Sequence, residues 1–125
     1  MTVPIPTSPM RQPSDSLALK NQYRHQTYEA APILSFEEAR AQLPVPIMPG
    51  SQYDPWIRMY WRVWEIAWTN LHQPAEGTGF VDNYIRPDTH DHIFMWDSAF
   101  SALYGIYGRR SFDFSGNLNN FYAWQ

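Results

Sequence analysis

Cysteine is absent from the 125 residues, which excludes disulfides and thiolate metal sites. Lysine occurs once and the net charge is −3, so no basic stripe exists for phosphate contacts and nucleic acid is not an expected partner. No apolar run approaches the roughly 20 residues of a membrane span, so a membrane is not an expected partner either. Met1 to Pro13 hold neither an apolar core nor a small-residue cleavage site. That excludes a Sec-type signal peptide and leaves the cytoplasm as the expected location.

What is present is aromatic and unevenly spread. Aromatic residues make up 17% of the chain, enough to imply a core or a binding cleft. All six tryptophans lie within residues 53–125, whereas most prolines lie within residues 1–52. The division predicts an irregular arm over 1–52 and a folded unit from 53 onward. Residues 1–15 are rich in Pro, Ser and Thr and are expected to be disordered. Ser35 and Glu38 form a capping-box pattern for a short helix from Phe36 to about Gln42, which Pro44 ends. The prolines of residues 43–50 then favour an extended path, one suited to running across another part of the protein.

The strongest helical pattern runs from Asp54 to about His72, with Asp54 as candidate N-cap and Pro55 at the first helical position. Trp56, Tyr60, Val63, Trp64, Ala67 and Leu71 recur at helical spacing, and Ile57, Trp61 and Trp68 add a second stripe. Trp56, Trp61, Trp64 and Trp68 are expected to pack in the core rather than to serve as a stacking platform for sugars or bases. Pro74, Gly77 and Gly79 predict a loop, followed by a short extended piece over 80–85. A further helix is expected from Trp96 or Asp97 to about Tyr107, with Gly108 ending it. A last one starts at Ser115 or Gly116 and is still in a live helical pattern at Gln125, which predicts a fragment of a larger protein. Asn117, Asn119 and Asn120 carry amides suited to hydroxyls, but near a helix start they read as local capping.

The segment richest in chemistry is His90-Asp91-His92-Ile93-Phe94-Met95-Trp96-Asp97-Ser98. A pyranose has apolar C–H faces for an indole and hydroxyls for a carboxylate, so Trp96 and Asp97 suit the two sides of one sugar. The same pair also fits a packed indole beside an N-cap. Asp97 as a general acid would need a raised pKa and a partner carboxylate, and the sequence sets none of Asp82, Asp88, Asp91 or Asp113 opposite it. A binding role is therefore expected, not a catalytic one. Asp88, His90, Asp91 and His92 contain metal-ligating types, yet an extended chain gives His90 and His92 only one further close ligand. No metal or other cofactor is expected. Asp91 and His92 are read as sugar contacts, and Arg86 suits either a carboxylate partner or the cleft wall.

The run Phe94-Met95-Trp96-Asp97-Ser98-Ala99-Phe100 and the later Tyr107-Gly108-Arg109-Arg110-Ser111-Phe112-Asp113-Phe114-Ser115-Gly116-Asn117-Leu118-Asn119-Asn120-Phe121-Tyr122-Ala123-Trp124-Gln125 resemble the first repeats of six-hairpin (α/α) toroid glycoside hydrolases. Family 63 α-glucosidases and trehalase-like enzymes are the nearest in pattern, over roughly residues 53–125. The resemblance implies an all-α fold, the first helical hairpins of an (α/α)6 toroid preceded by the Pro-rich arm. It implies an oligosaccharide or glucoside substrate held by Asp97 with Trp96 beside it. It also implies hydrolysis of an α-glucosidic bond by inversion, with both catalytic carboxylates on later hairpins outside this chain. The alternative is a non-catalytic toroid that binds carbohydrate or protein.

Overall fold

The computed structural model describes residues 21–23, 25–29, 31–86 and 92–125. The expectation of disorder over 1–15 lies outside the described residues. The chain is mostly α-helical. Its helices are α1 (Phe36–Arg40), α2 (Asp54–Thr69), α3 (Met95–Gly105) and α4 (Gly116–Ala123), with 3-10 turns at Ser51–Tyr53 and Ile106–Gly108. Two short strands, β1 (Leu71–His72) and β2 (Tyr84–Ile85), pair antiparallel with Leu71 opposite Ile85 and His72 opposite Tyr84.

Helix α1 starts as its local sequence dictates. Ser35 accepts from the Glu38 N–H while the Glu38 carboxylate accepts from the Ser35 N–H at 2.9 Å and its hydroxyl at 2.6 Å, so both halves of the capping box form. The helix stops at Arg40, two residues short of the expected Gln42, as the Gln42 and Leu43 N–H groups turn back to Ala39 and Arg40.

In α2 the N-cap is Tyr53 and not Asp54, because the turn Ser51–Tyr53 runs directly into the helix. Asp54 instead sits in the first turn, where the helix dipole favours its charge. The helix ends at Thr69 rather than His72. Asn70 bonds back to Ile66 through its side chain at 3.0 Å, and its carbonyl accepts from the Arg86 N–H at 2.9 Å. Leu71 and His72 are thereby drawn into pairing with β2, a partner distant in sequence.

The core joins the arm to the later helices. Ala39 and Leu43 are buried together with Trp64, Ala67, Trp68, Leu71, Ile85, Phe112 and Phe114. Trp68 satisfies its indole N–H on the Leu34 carbonyl at 3.0 Å, as a buried indole must. The Arg40 guanidinium lies 4.6 Å from the Trp61 ring centre. Tyr60 donates its hydroxyl to the Pro44 carbonyl at 2.6 Å, which ties the start of the segment 43–50 to α2.

Helix α3 begins at Met95, one residue before the expected start, and its N-cap Phe94 offers no side-chain bond. Asp97 is the third residue inside the helix, so the N-cap reading of Asp97 is corrected. The helix keeps α geometry to Gly105 and then tightens into the 3-10 turn that ends at Gly108. Helix α4 starts at Gly116 and ends at Ala123, with the Trp124 N–H bonded to the Phe121 carbonyl at 3.3 Å. The Gln125 N–H bonds to the Tyr122 carbonyl at 3.3 Å.

Candidate functional site

Ser98, which follows the Trp96-Asp97 step, is held by Asn117 of α4, and the neighbouring asparagines of that helix hold residues 81–82. Asn117 and Asn120 stand three apart on the inner face of that helix and are buried, at 1% and 0% exposure. Asn117 accepts from the Ile85 N–H at 2.7 Å and donates to the Ile85 carbonyl at 2.8 Å, so its amide pairs with β2 as a neighbouring strand would. It also donates to the Ser98 hydroxyl at 2.9 Å. Asn120 accepts from the Val81 and Asp82 N–H groups at 2.8 and 2.9 Å and donates to the Asp82 carbonyl at 3.0 Å. Asn119 holds the Asp82 carboxylate at 2.7 Å. None of the three caps its own helix in these contacts, which corrects the local-capping reading.

Gly116 permits this approach. A methyl group there would overlap the Asn83 carbonyl oxygen, so α4 lies against the chain at Asn83 with no room for a side chain. The Asn83 amide, in turn, accepts from the Tyr28 hydroxyl at 2.7 Å and donates to the Ala31 carbonyl at 2.9 Å. The segment 81–85 is thus held from both the α4 side and the arm side.

Trp96 and Asp97 follow each other in the first turn of α3, both exposed. Trp96 is 75% exposed and meets Phe100 edge-on, with ring centres 5.3 Å apart. Among the described residues the Asp97 carboxylate has no hydrogen bond or ion pair. His92 is exposed, and no hydrogen bond joins it to Asp97 among the described residues. Asp91, with Asp88 and His90, lies outside the described residues. Of the carboxylates weighed as partners for Asp97, Asp82 is engaged by Asn119, and Asp113 accepts from the Ser115 N–H and hydroxyl at 2.9 and 2.6 Å. Among the described residues no group of three His, Cys, Asp or Glu side chains has the spacing of a metal site.

Across the β1–β2 pair, the His72 ring lies tilted against Tyr84 with ring centres 5.5 Å apart. Loss of hydration, and then the positive charge of Arg86, hold its imidazole below the ordinary value of 6.5. Both effects favour the neutral ring over the charged one relative to a free imidazole.

The tryptophan stripe divides. Trp64 and Trp68 are buried and Trp61 is half-buried, as expected for core residues, but Trp56 is 60% exposed. Trp56, Met59, Val63 and Ile66 form an exposed apolar stripe along α2, and Phe100, Leu103 and Tyr107 continue one from Trp96 along α3. Between the arm and these helices lies an open groove of about 540 Å³ whose walls include Pro44, Met48, Trp56, Tyr60, Tyr104 and Tyr107. The second stripe read in α2, Ile57, Trp61 and Trp68, is a different set, and Met59 and Ile66 of the exposed stripe were not singled out by spacing. Comparison with family models, curated proteins and solved structures gives no match. Among the described residues no helix is long and apolar enough to cross a membrane.

Proposed function

We propose that this chain is the substrate-binding portion of an (α/α) toroid glycoside hydrolase acting on an α-glucosidic or related bond. Trp96 and Asp97 hold the sugar, with Asp91 and His92 contributing, and the catalytic carboxylates lie outside residues 1–125. The observation that carries this reading is that Trp96 and Asp97, consecutive in the first turn of α3, are both exposed. An indole left in water forgoes about 1.5–3 kcal/mol of burial. A carboxylate with no partner among the described residues is free to accept from hydroxyls. The two together offer a sugar one apolar face and one charged acceptor.

The toroid part of the reading is supported by the exposed stripes of α2 and α3, because helices in concentric rings have neighbours on more than one side. Those same stripes favour the second reading, a non-catalytic toroid that binds carbohydrate or protein. Maltose titration of the chain, followed by tryptophan fluorescence, tests the site. Trp96→Ala and Asp97→Asn are each expected to weaken binding by about tenfold, close to 1.4 kcal/mol, with the melting temperature held. A melting temperature that falls in step with affinity makes Asp97 a structural residue. The chain alone is expected to show no glucoside hydrolysis.

A further inference from the structure

Ile85 and Ser98 flank the stretch of chain that contains Arg86, His92, Trp96 and Asp97. Asn117 bonds to both flanks, through three contacts of 2.7, 2.8 and 2.9 Å from one buried amide. Both amide hydrogens are used, and among the described residues no other side chain bonds to both ends. The orientation of the amide is fixed by this pattern, since only the nitrogen can donate to the Ile85 carbonyl and only the oxygen can accept from its N–H. Ser98 is itself 1% exposed and adjoins Asp97, with its N–H on the Phe94 carbonyl at 2.9 Å.

We propose that Asn117 is a positioning residue, a clamp that ties Ser98 to Ile85 and so fixes the first turn of α3, with Trp96 and Asp97, against β2. The inference takes its ligand from the carbohydrate reading above, whereas the clamp itself rests on geometry alone. A carboxylate and an indole divide one sugar between them only if their turn is held. A shift of about 1 Å in a binding group is enough to lose much of an oriented interaction.

Asn120 supplies a matched control. It is equally buried and also makes three bonds, all of them to backbone at Val81 and Asp82, upstream of Ile85. Asn117→Ala and Asn120→Ala are therefore expected to lower the melting temperature by similar amounts. Only Asn117→Ala should raise hydrogen–deuterium exchange over residues 92–97, and only it should weaken maltose binding, by on the order of tenfold against less than about twofold for Asn120→Ala. Ser98→Ala cuts the tie to α3 while leaving the pairing with β2, and it should move exchange and affinity in the same direction by a smaller factor. It decides the matter if Asn117→Ala fails to fold. Equal changes of exchange in the Asn117 and Asn120 variants, or an unchanged Ser98→Ala, overturn the clamp. If the unaltered chain binds no maltose, the carbohydrate reading falls, while the exchange comparison still decides the clamp.

Discussion

Replacing Gly105 with alanine sets two effects of known sign against each other. Gly105 has helical dihedrals, φ −62° and ψ −23°, so nothing in its backbone calls for glycine. On propensity alone alanine would stabilise the end of α3 by about 1 kcal/mol. The added methyl, however, would overlap the Cβ and Cγ atoms of Phe114 and come within 2.8 Å of Cδ1. Phe114 cannot retreat easily, because it is 2% exposed and its ring centre lies 5.0 Å from Phe112, 5.7 Å from Tyr104 and 6.1 Å from both Trp64 and Trp68. Overpacking a site of this kind costs about 1–3 kcal/mol and occasionally more. The overlap puts this case at the upper end, for a net loss of about 2 kcal/mol. Urea unfolding followed by near-ultraviolet circular dichroism reads both the stability and the asymmetry of the aromatic cluster. Adding Phe114→Ala, which removes Cγ and Cδ1 although not Cβ, should make the double change cost less than the sum of the two single ones, giving a coupling between the two sites. A Gly105→Ala chain more stable than the original would show that α3 does not press on Phe114, and the description of the core would fail with it.

Two further outcomes follow from local electrostatics. Ser35→Ala removes the hydroxyl that caps α1 and should lower the melting temperature by a few degrees. The bonds from the Ser35 hydroxyl and its backbone N–H hold the Glu38 carboxyl below its ordinary value of 4.5, so that contribution is complete above 4.5 and is lost as pH falls through the lower folded value. The Ser35→Ala chain should accordingly lose less stability than the original on acidification, and an equal acid sensitivity would count against the capping box. For His72 the unfolded chain takes up a proton first as pH falls below 6.5, so stability declines from there down to the depressed folded value and is level beneath it. An NMR titration of the His72 ring should give a midpoint under 6.5 that rises on Arg86→Ala. A midpoint above 6.5 refutes the assigned environment.

How much of this was legible depends on how far apart the interacting partners lie. The capping box of α1 has both partners within four residues, so it could be read directly from the sequence. The body of α2 was readable from its apolar spacing, but its end was not: Leu71 and His72 continue the helical pattern and leave it only because Ile85 and Tyr84 offer backbone pairing. Trp96 and Asp97 were singled out by residue type, and their common exposure on one turn could not be known before the start of α3 was fixed at Met95. The constraint on Gly105 was invisible because Phe114 reaches it from another part of the chain.

The asparagines of α4 were misread for a reason that can be turned into a rule. Asparagine in isolation is a local capper, and the partners here stand 19 to 39 positions away. Yet Asn117 and Asn120 are three apart, which puts them on one face of a helix, and a cap would need only one of them. Burying an amide without partners costs several kcal/mol, so two on one inner face require two sets of backbone N–H and carbonyl groups to meet them. A short strand with one open edge supplies such groups, and the piece predicted over 80–85 is too short to pair along its length. Read together, the spacing of the asparagines and the brevity of that strand call for contact between α4 and residues 81–85. It is this contact that gives Asn117 access to the turn bearing Trp96 and Asp97.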